Sequence, residues 1–278
     1  MSDIPMPEPT VARRPFSSFK VISYDIFGTL IDWEGGIYPL LQPLVERMPA
    51  DASSEHAAYR SAEGRSKVVG RFHELEATLQ TSQPSALYSS ILEQAFLLFA
   101  QDMGIEADDE VKKDAKAFGA SVGSWPAFPD TVDACQRLAK AGYKMIPLSN
   151  VDRESFSHTL SGPLKGVDFF RVYTAQDIGS YKPDLRNFEY LVRRVKEDAA
   201  VDKDDILHVA QSLFHDHQPA KKFGMSSVWI NRRGASMGSP GGAAEMHSRG
   251  EVGYGWRYRT LGEFADEVER QSKEEGGK

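Results

Sequence analysis

The order of apolar and polar residues divides the chain into an opening strand, a helical region and an alternating region. Residues 20–27 form a short, β-branched apolar run that ends at Gly28-Thr29, a pattern typical of a buried strand closed by a turn. Stretches with helical spacing follow at about 35–48, 54–80, 84–104 and 108–123. No strand pattern separates them, so we expect these helices to form a layer of their own.

From Trp125 onwards, predicted helices and strands alternate. Further strands are predicted at 143–148, 169–173, 206–210 and 227–230, and residues 256–259 close the domain together with the last helix. Helices are predicted at 131–141, 185–196 and 217–223 and from Leu261. Strands that alternate with crossover helices form a parallel sheet with helices on both faces. The pattern therefore predicts an α/β fold, a Rossmann-like parallel sheet core with an inserted helical unit.

The same pattern sets the expected domain boundaries. We predict a flexible N-terminal tail over 1–16 and a polar C-terminal tail over 269–278, both from their polar composition. The core is expected at 17–33 and 125–268, and the helical insertion at 34–124. Within the core, the glycine- and serine-rich stretch 234–250 predicts a long loop.

Composition narrows the class of protein. The 278 residues are 41% hydrophobic and 26% charged, as in a globular protein with a core. The net charge of −7 and the scattered basic residues argue against a nucleic-acid partner. No apolar run reaches the ~18 residues of a membrane span, and residues 1–15 lack the apolar stretch of a signal peptide, so we expect a cytoplasmic protein. The single cysteine, Cys135, excludes an intramolecular disulfide, and helical spacing makes it a buried hydrophobic residue.

Chemically useful residues follow the predicted strands. They are Asp25, the pair Ser149-Asn150, Lys182 and Asp216. Each alone has an ordinary interpretation as a helix cap, a turn or a helix start. Ligands of open parallel sheets bind at the carboxyl ends of the strands, however, and all four features are expected there. Together they predict an active site.

An aspartate at this position has the properties of a nucleophile. Its reference pKa of about 3.9 leaves it ionised at neutral pH without help from a general base. A nearby lysine, here Lys182, supplies a hydrogen bond and a countercharge. Gly28 lets the chain turn sharply beside the reacting atom because it has no Cβ.

These segments resemble the haloacid dehalogenase superfamily. Residues 25–30, 147–150, 181–183 and 208–216 are similar to its four motifs in order. Asp32-Trp33 and residues 224–232 resemble more narrowly the L-2-haloacid dehalogenase-like (type II) branch. In such a protein the inserted helices form a cap domain.

The resemblance implies a role for each residue. Asp25 would form a covalent ester with the substrate, and Lys182 and Asp216 would orient the water that hydrolyses it. The implied substrate-binding residues are Ser149, Asn150, Phe27, Thr29 and Trp33. The partner would be a small molecule, no cofactor is expected, and a homodimer is compatible with the family.

The residue two positions after Asp25 decides between reactions. Phosphatases of this superfamily carry a second aspartate there, which protonates the leaving alkoxide. This chain carries Phe27, and a halide leaves as a stable anion without a proton. The fourth motif also lacks the paired acids that complete a Mg²⁺ site. The sequence therefore favours hydrolytic dehalogenation of a short 2-haloacid, with a Mg²⁺-dependent phosphatase of a small phosphate ester as the alternative.

Two departures from the dehalogenase pattern leave a third alternative. Gln211 and Leu213 stand where the family's dehalogenases place the Ser and Asn that position water, so a catalytically impaired binding protein of the same fold is also considered. No cap residue clearly matches the halide-binding arginine. The candidates by location are Arg60, Arg65 and Arg71. His215 and His217 face apart on a helix, so they are not expected to share a metal.

Overall fold

The structure is a computed structural model, and it describes residues 4–49, 54–61, 63–232 and 242–276. The strands are β1 (Val21–Tyr24), β2 (Lys144–Ser149), β3 (Tyr173–Thr174), β4 (Ile206–Ala210), β5 (Ser226–Ile230) and β6 (Trp256–Tyr258). The α-helices are α1 (Trp33–Arg47), α2 (Ser54–Ala57), α3 (Gly64–Ser82), α4 (Tyr88–Asp102), α5 (Asp109–Gly119), α6 (Thr131–Lys140), α7 (Arg153–Ser161), α8 (Ala175–Ile178), α9 (Arg186–Ala199), α10 (Gln218–Phe223), α11 (Ala243–Ser248) and α12 (Leu261–Gly276). Short 3-10 helices span Phe16–Ser18, Ala58–Arg60, Ala120–Ser124 and Lys203–Asp205, and a π-helical turn spans Leu213–His217.

The chain divides into two compact units. The core unit comprises Met1–Ile31, Ala127–Asn150 and Leu164–Lys278. The helical unit comprises Asp32–Pro126 and Val151–Pro163. In the sequence, the chain passes from one unit to the other after Ile31 and after Pro126, each within two residues of a predicted boundary. The helical unit also includes residues that we expected in the core.

The core unit contains a six-stranded sheet in the order β3-β2-β1-β4-β5-β6, and every neighbouring pair is parallel. This confirms the predicted α/β fold. Strand β1 lies in the middle, where Tyr24 is aligned with Pro147 of β2 and with Val209 of β4. All of β1 is buried, as expected for a strand covered on both faces. The carboxyl ends of β1, β2 and β4 therefore lie side by side.

Helix α9 supplies much of the apolar cover of this sheet. Its Phe188, Leu191 and Val195 recur at helical spacing, are buried, and join a cluster with Val21 and Ile146 of the strands. Helix α6 buries Cys135, which confirms its interpretation as a core residue; burial raises the pKa of the thiol to about 12.

The predicted third strand is wrong in extent. We expected 169–173, but β3 is only Tyr173–Thr174, aligned with Leu148 and Ser149 at the edge of the sheet. Before this strand, the N–H of Phe170 donates to the carbonyl of Met145 at 2.9 Å, and its carbonyl accepts from the Arg171 side chain at 2.9 Å. The apolar residues before Tyr173 therefore lie outside the strand, and Phe170 packs against the hydrophobic core.

Both predicted tails differ in the structure. Residues 4–15 form no regular helix or strand, yet Thr10 donates a backbone hydrogen bond to Gly253 at 2.8 Å. Phe16 is buried against the rings of Trp256 and Phe264. At the other end, α12 continues through the predicted tail to Gly276. Charged pairs three and four residues apart support that helix, as between Arg270 and its neighbours Glu267 and Glu274.

The predicted long loop over 234–250 is wrong in part. Residues 233–241 lie outside the described residues, but Ala243–Ser248 form α11. The helix buries Met246 in a cluster with Trp229 and Tyr254. The glycine-rich composition of this stretch gave no indication that Met246 would be buried and would hold a helix in place.

The helical unit is built on aromatic packing. Phe72 of α3 contacts Phe99 of α4 and Phe118 of α5, with ring centroids 6.2 and 5.1 Å apart. The predicted helix over 54–80 is divided into α2, a 3-10 turn and α3. Among the helices of the described residues, none combines the length and apolar character that crossing a bilayer requires.

Residues 151–163 are the segment that belongs to the helical unit against expectation. The Asp152 carboxylate caps α7 by accepting from Ser155 N at 2.8 Å, and it also accepts from Ser89 N at the start of α4 at 3.2 Å. A Cβ on Gly123 would lie 2.2 Å from Cβ of His158, so α7 approaches the neighbouring 3-10 helix closely. These contacts join distant parts of the chain and explain why residues 151–163 belong to the helical unit.

Candidate active site

Asp25 is held at the carboxyl end of the central strand. Its N–H donates to the carbonyl of Val209 at 3.1 Å, which extends the pairing of β1 with β4 by one residue. The chain then turns back on itself, and the carbonyl of Ile26 accepts from the N–H groups of Leu30 and Ile31 at 2.8 and 2.9 Å. Gly28 makes this turn with a φ of 87°, a conformation that a side chain would strain. The Asp25 side chain is thereby fixed on a rigid turn.

Both oxygens of the Asp25 carboxylate have a donor. Oδ1 accepts from Lys182 Nζ at 2.8 Å, and Oδ2 accepts from Thr29 Oγ1 at 2.7 Å. Thr29 is fully buried, and its Oγ1 also accepts from the Gln211 N–H at 2.9 Å. The threonine therefore orients Asp25, and the substrate contact that the resemblance implied stays a prediction.

Lys182 lies between two carboxylates. Its side chain is almost fully buried, and Nζ donates to Asp25 Oδ1 and, at 2.7 Å, to Asp216 Oδ1. Its main chain is held by Asn150, whose Oδ1 accepts from Lys182 N at 2.7 Å and whose Nδ2 donates to Lys182 O at 3.0 Å. The Asn150 amide thus positions the lysine, and its predicted contact with substrate stays a prediction.

Asp216 projects from the π-helical turn after β4. The turn is wider than an α-helix, because His217 N–H reaches back five residues to the carbonyl of Ser212 at 3.3 Å. Asp216 is fully buried, and its Oδ1 accepts from both Lys182 Nζ and His208 Nε2, the latter at 2.8 Å. Its Oδ2 is buried without a hydrogen-bond partner among the described residues. One oxygen thereby accepts from two donors, and the other accepts from none among the described residues.

The charges in this cluster shift the pKa of each member. Burial raises the pKa of Asp25, and the neighbouring Asp216 charge adds to this against the opposing effect of Lys182. Burial also works to raise the pKa of Asp216, but Lys182 and then His208 outweigh it, so that pKa is lowered. Burial works to lower the pKa of Lys182, yet the two carboxylates raise it. The least stabilised negative charge is therefore on Asp25, which suits a nucleophile.

Ser149 adds a second unpartnered polar atom. It is the last residue of β2, it is buried, and its Oγ has no hydrogen-bond partner among the described residues. Leaving a buried hydroxyl unpaired costs about 1–3 kcal/mol, which a polar ligand would recover. Phe27 is half-buried on the turn after Asp25, whereas Trp33 is the first residue of α1 in the helical unit, where its ring lies 5.8 Å from that of His73.

Other predicted candidates are engaged elsewhere. In the helical unit, Arg71 forms a two-pronged ion pair with Asp102 at 2.7 and 3.0 Å, Arg60 donates to the carbonyl of Met48, and Arg65 lies over the ring of Tyr38. The Arg71 charge is thereby neutralised by a carboxylate, whereas halide binding by Arg60 or Arg65 stays a prediction. His217 bonds Ser227 Oγ and the carbonyl of Ala210, and burial lowers its pKa to about 4, so it is structural.

Sequence reasoning missed two side chains that support the cluster. His208 bonds Asp216 from the middle of β4, and Arg232 donates to the carbonyl of Thr29 at 2.9 Å while it pairs with Asp130 at 2.8 Å. A histidine within the apolar run of residues 206–210 was a usable signal, because fully buried strands rarely carry an unpaired polar group. Arg232 follows β5 and gave no such signal.

The donor set does not fit Mg²⁺. A divalent cation between Asp25 and Asp216 needs their oxygens, but the ammonium of Lys182 already lies within 2.8 Å of both Oδ1 atoms. Position 27 contributes no carboxylate, since it is Phe27. Within the described residues, no group of three or more His, Cys, Asp or Glu side chains is arranged to hold a metal ion.

A family model of haloacid dehalogenase-like hydrolases matches residues 19–224. The chain belongs to this family. It is therefore a hydrolase, and the predicted membership of the superfamily is confirmed. An (S)-2-haloacid dehalogenase from Pseudomonas putida, H-109, is 22% identical over 218 residues, which cover 77% of this chain and 86% of that protein.

Solved structures agree in fold. The defluorinating L-2-haloacid dehalogenase Rha0230 has a TM-score of 0.68 at 14% identity, over 96% of this chain and 100% of that chain. An L-2-haloacid dehalogenase from Xanthobacter autotrophicus, solved with chloropropionic acid covalently bound, has a TM-score of 0.62 at 17% identity, over 90% and 98% of the two chains. These relatives confirm the predicted likeness to the L-2-haloacid dehalogenase-like branch.

Proposed function

We propose that this hydrolase cleaves the carbon–halogen bond of a short 2-haloacid and releases the 2-hydroxyacid. One observation carries the proposal: a buried carboxylate, Asp25, lies 2.8 Å from the Lys182 ammonium with Phe27 where a proton-donating acid would stand. A halide needs no proton to leave, whereas an alkoxide does. The names of the relatives, (S)- and L-2-haloacid dehalogenases, support this choice of substrate class.

In the first step, an oxygen of Asp25 attacks C2 of the substrate. The new carbon–oxygen bond forms as the carbon–halogen bond breaks, and the halide leaves with the bonding electron pair. Thr29 and Lys182 hold the carboxylate in one orientation, so little ordering entropy is lost on the way to the transition state. The raised pKa of Asp25 reflects a poorly stabilised, reactive anion.

In the second step, water attacks the carbonyl carbon of the Asp25 ester. The oxyanion that forms is stabilised by the Lys182 ammonium, which stays charged because its pKa is raised. The unpartnered Oδ2 of Asp216 accepts a hydrogen bond from the water and orients it. Collapse of the intermediate breaks the ester carbon–oxygen bond and restores the Asp25 carboxylate. The departing alkoxide takes one of the two protons of the attacking water and leaves as the 2-hydroxyacid, and the other proton passes to solvent.

Substrate binding is assigned on the unpartnered hydroxyl. We propose that Ser149 Oγ donates to the substrate carboxylate, while Asn150 acts through the Lys182 main chain. Phe27 would contribute an apolar wall. A cap role for the helical unit, substrate contact by Trp33, assembly as a homodimer and a cytoplasmic location remain predictions.

Halide release tests the proposal directly. Purified protein is incubated with the two enantiomers of 2-chloropropionate and with bromoacetate, and halide is measured by ion chromatography. Single turnover in ¹⁸O-labelled water, followed by peptide mass spectrometry, should place the label in Asp25. We expect Asp25→Asn to abolish release, and Asp168→Asn, an exposed residue of the core unit, to leave it unchanged.

A parallel assay addresses the rival functions. Phosphate release from p-nitrophenyl phosphate is measured with Mg²⁺ and with EDTA. Metal-dependent phosphate release without halide release would replace this proposal by the phosphatase alternative. If the folded wild-type protein releases neither halide from any haloacid nor phosphate from any ester, the binding-protein alternative is favoured.

A further inference from the structure

His208 occupies an unusual position for a histidine. It lies in the middle of β4, fully buried, beside Ser23 of β1 in the parallel register. The ring of Phe188 packs edge-on against it at 5.3 Å and 73°. An apolar side chain would fill this place without the cost of burying two ring nitrogens, about 1–3 kcal/mol for each one left unpaired.

Both ring nitrogens are paired. Nε2 lies 2.8 Å from Asp216 Oδ1, and Nδ1 lies 3.2 Å from Ser23 Oγ. Because an ionised carboxylate only accepts, Nε2 carries a hydrogen and donates it to Asp216, while Nδ1 pairs with the Ser23 hydroxyl. A continuous chain of hydrogen bonds therefore runs from Ser23 through His208, Asp216 and Lys182 to Asp25.

The contact selects one oxygen of Asp216. Lys182 Nζ and His208 Nε2 both donate to Oδ1, and two donors on one oxygen fix the rotation of the carboxylate. Oδ2 is then kept from turning toward the lysine. Without the imidazole, Lys182 alone would leave the carboxylate able to exchange its two oxygens.

We propose that His208 is a positioning residue for the hydrolytic step, which holds Asp216 so that Oδ1 meets Lys182 and Oδ2 is presented to the attacking water. The inference rests on the proposed function. It predicts an effect on hydrolysis of the ester and little effect on its formation, because the ring nitrogens of His208 bond Asp216 and Ser23, and the Lys182–Asp25 hydrogen bond is separate.

Two substitutions separate positioning from packing. His208→Phe keeps an aromatic ring against Phe188 but removes the donor to Asp216, whereas His208→Gln retains an N–H near the place of Nε2. Ser23→Ala removes only the outer hydrogen bond. Circular dichroism and thermal melting establish that each variant is folded, and variants are compared at matched folded fraction.

Single-turnover kinetics read the two steps separately. We expect His208→Phe to slow ester hydrolysis about 10- to 100-fold, the range for a hydrogen bond to a charged group, and to accumulate a covalent adduct on Asp25 by intact-protein mass spectrometry. The halide burst should stay within about threefold of wild type, and His208→Gln should recover most of the hydrolytic rate.

The pH profile of the single-turnover hydrolysis rate, a step in which Asp25 is esterified and does not titrate, provides a readout that packing alone would not move. Lys182, Asp25, His208 and His217 are the titratable groups that act on Asp216 or lie beside it. Loss of the His208 donor destabilises the Asp216 carboxylate and raises its pKa. The acidic limb of the hydrolysis rate should therefore move to higher pH in His208→Phe, and less so in His208→Gln.

The outcomes are distinct. If wild type releases halide but folded His208→Phe slows both steps equally, or neither, the inference is overturned while the proposed function stands. If wild type releases no halide from any 2-haloacid, both fall. A substrate-free measurement, ¹⁵N NMR of the imidazoles, should find a buried ring protonated at Nε2 that is lost in His208→Phe; protonation at Nδ1 alone would also overturn the inference.

Discussion

Replacing Lys182 by Met tests the electrostatic core of the site without any assumption about substrate. Methionine keeps a long apolar stem of similar volume but removes the ammonium that lies 2.8 and 2.7 Å from two buried carboxylates. Two unit charges at such contact distances interact by several kcal/mol, about 4 kcal/mol at 4 Å for an effective dielectric constant near 20. Breaking a buried ion pair by removing one partner typically costs about 3–5 kcal/mol. We therefore expect Lys182→Met to lower the free energy of unfolding by about that amount at pH 8.

The loss should depend on pH in a definite direction. Without the ammonium, the pKa of the buried pair Asp25 and Asp216 rises well above the unfolded value of about 3.9. An acid whose folded pKa is raised destabilises the folded state above its unfolded pKa, and the penalty disappears once it is protonated. The stability difference from wild type should therefore shrink between pH 8 and pH 5.

Urea denaturation followed by circular dichroism at pH 8, 6.5 and 5 measures this difference. Lys165→Met, at an exposed position of the core unit, is the matched control and should change stability by less than about 0.5 kcal/mol at every pH. A loss below about 1 kcal/mol for Lys182→Met, or one that is equal at all three pH values, would refute the reasoning. Lys182 would then not be the countercharge of both carboxylates.

Three further predictions concern catalysis of halide release. In wild type, kcat should fall as Asp25 is protonated, with an acidic limb above the ordinary carboxyl value of about 3.9 because its pKa is raised; a limb below that value in a pH–rate profile would contradict the assignment. Thr29→Val should lower kcat about tenfold or more because the Asp25 carboxylate is no longer held in one orientation, with Thr29→Ser within about threefold; equal rates for both variants would contradict the orienting role. Asn150→Ala should lower kcat with little change in KM, because its amide holds the Lys182 main chain. A rise in KM with unchanged kcat would instead support the substrate contact implied by the resemblance.

The sequence was sufficient for the fold because its signals are local. The apolar run before Asp25 and the later alternation of helices and strands reflect burial periodicities that hold wherever the elements lie. The rule that ligands bind at the carboxyl ends of parallel strands then selected Asp25, Lys182 and Asp216, and the structure brings these three side chains within hydrogen-bond distance. The predictions that differ, in the short β3 and in α11, concern segments in which one or two contacts decide the conformation.

The sequence by itself determined which residue types follow each strand and which of those residues carry a charge. Which atoms meet was decided only by the tertiary structure: Thr29 and Asn150 orient Asp25 and Lys182, and residues 151–163 join the helical unit. His208 pairs with Asp216 across a turn whose π-helical width no local propensity predicts. The physical reason is that a hydrogen bond depends on distance and angle to within fractions of an ångström, whereas sequence periodicity reports only which face of an element is buried.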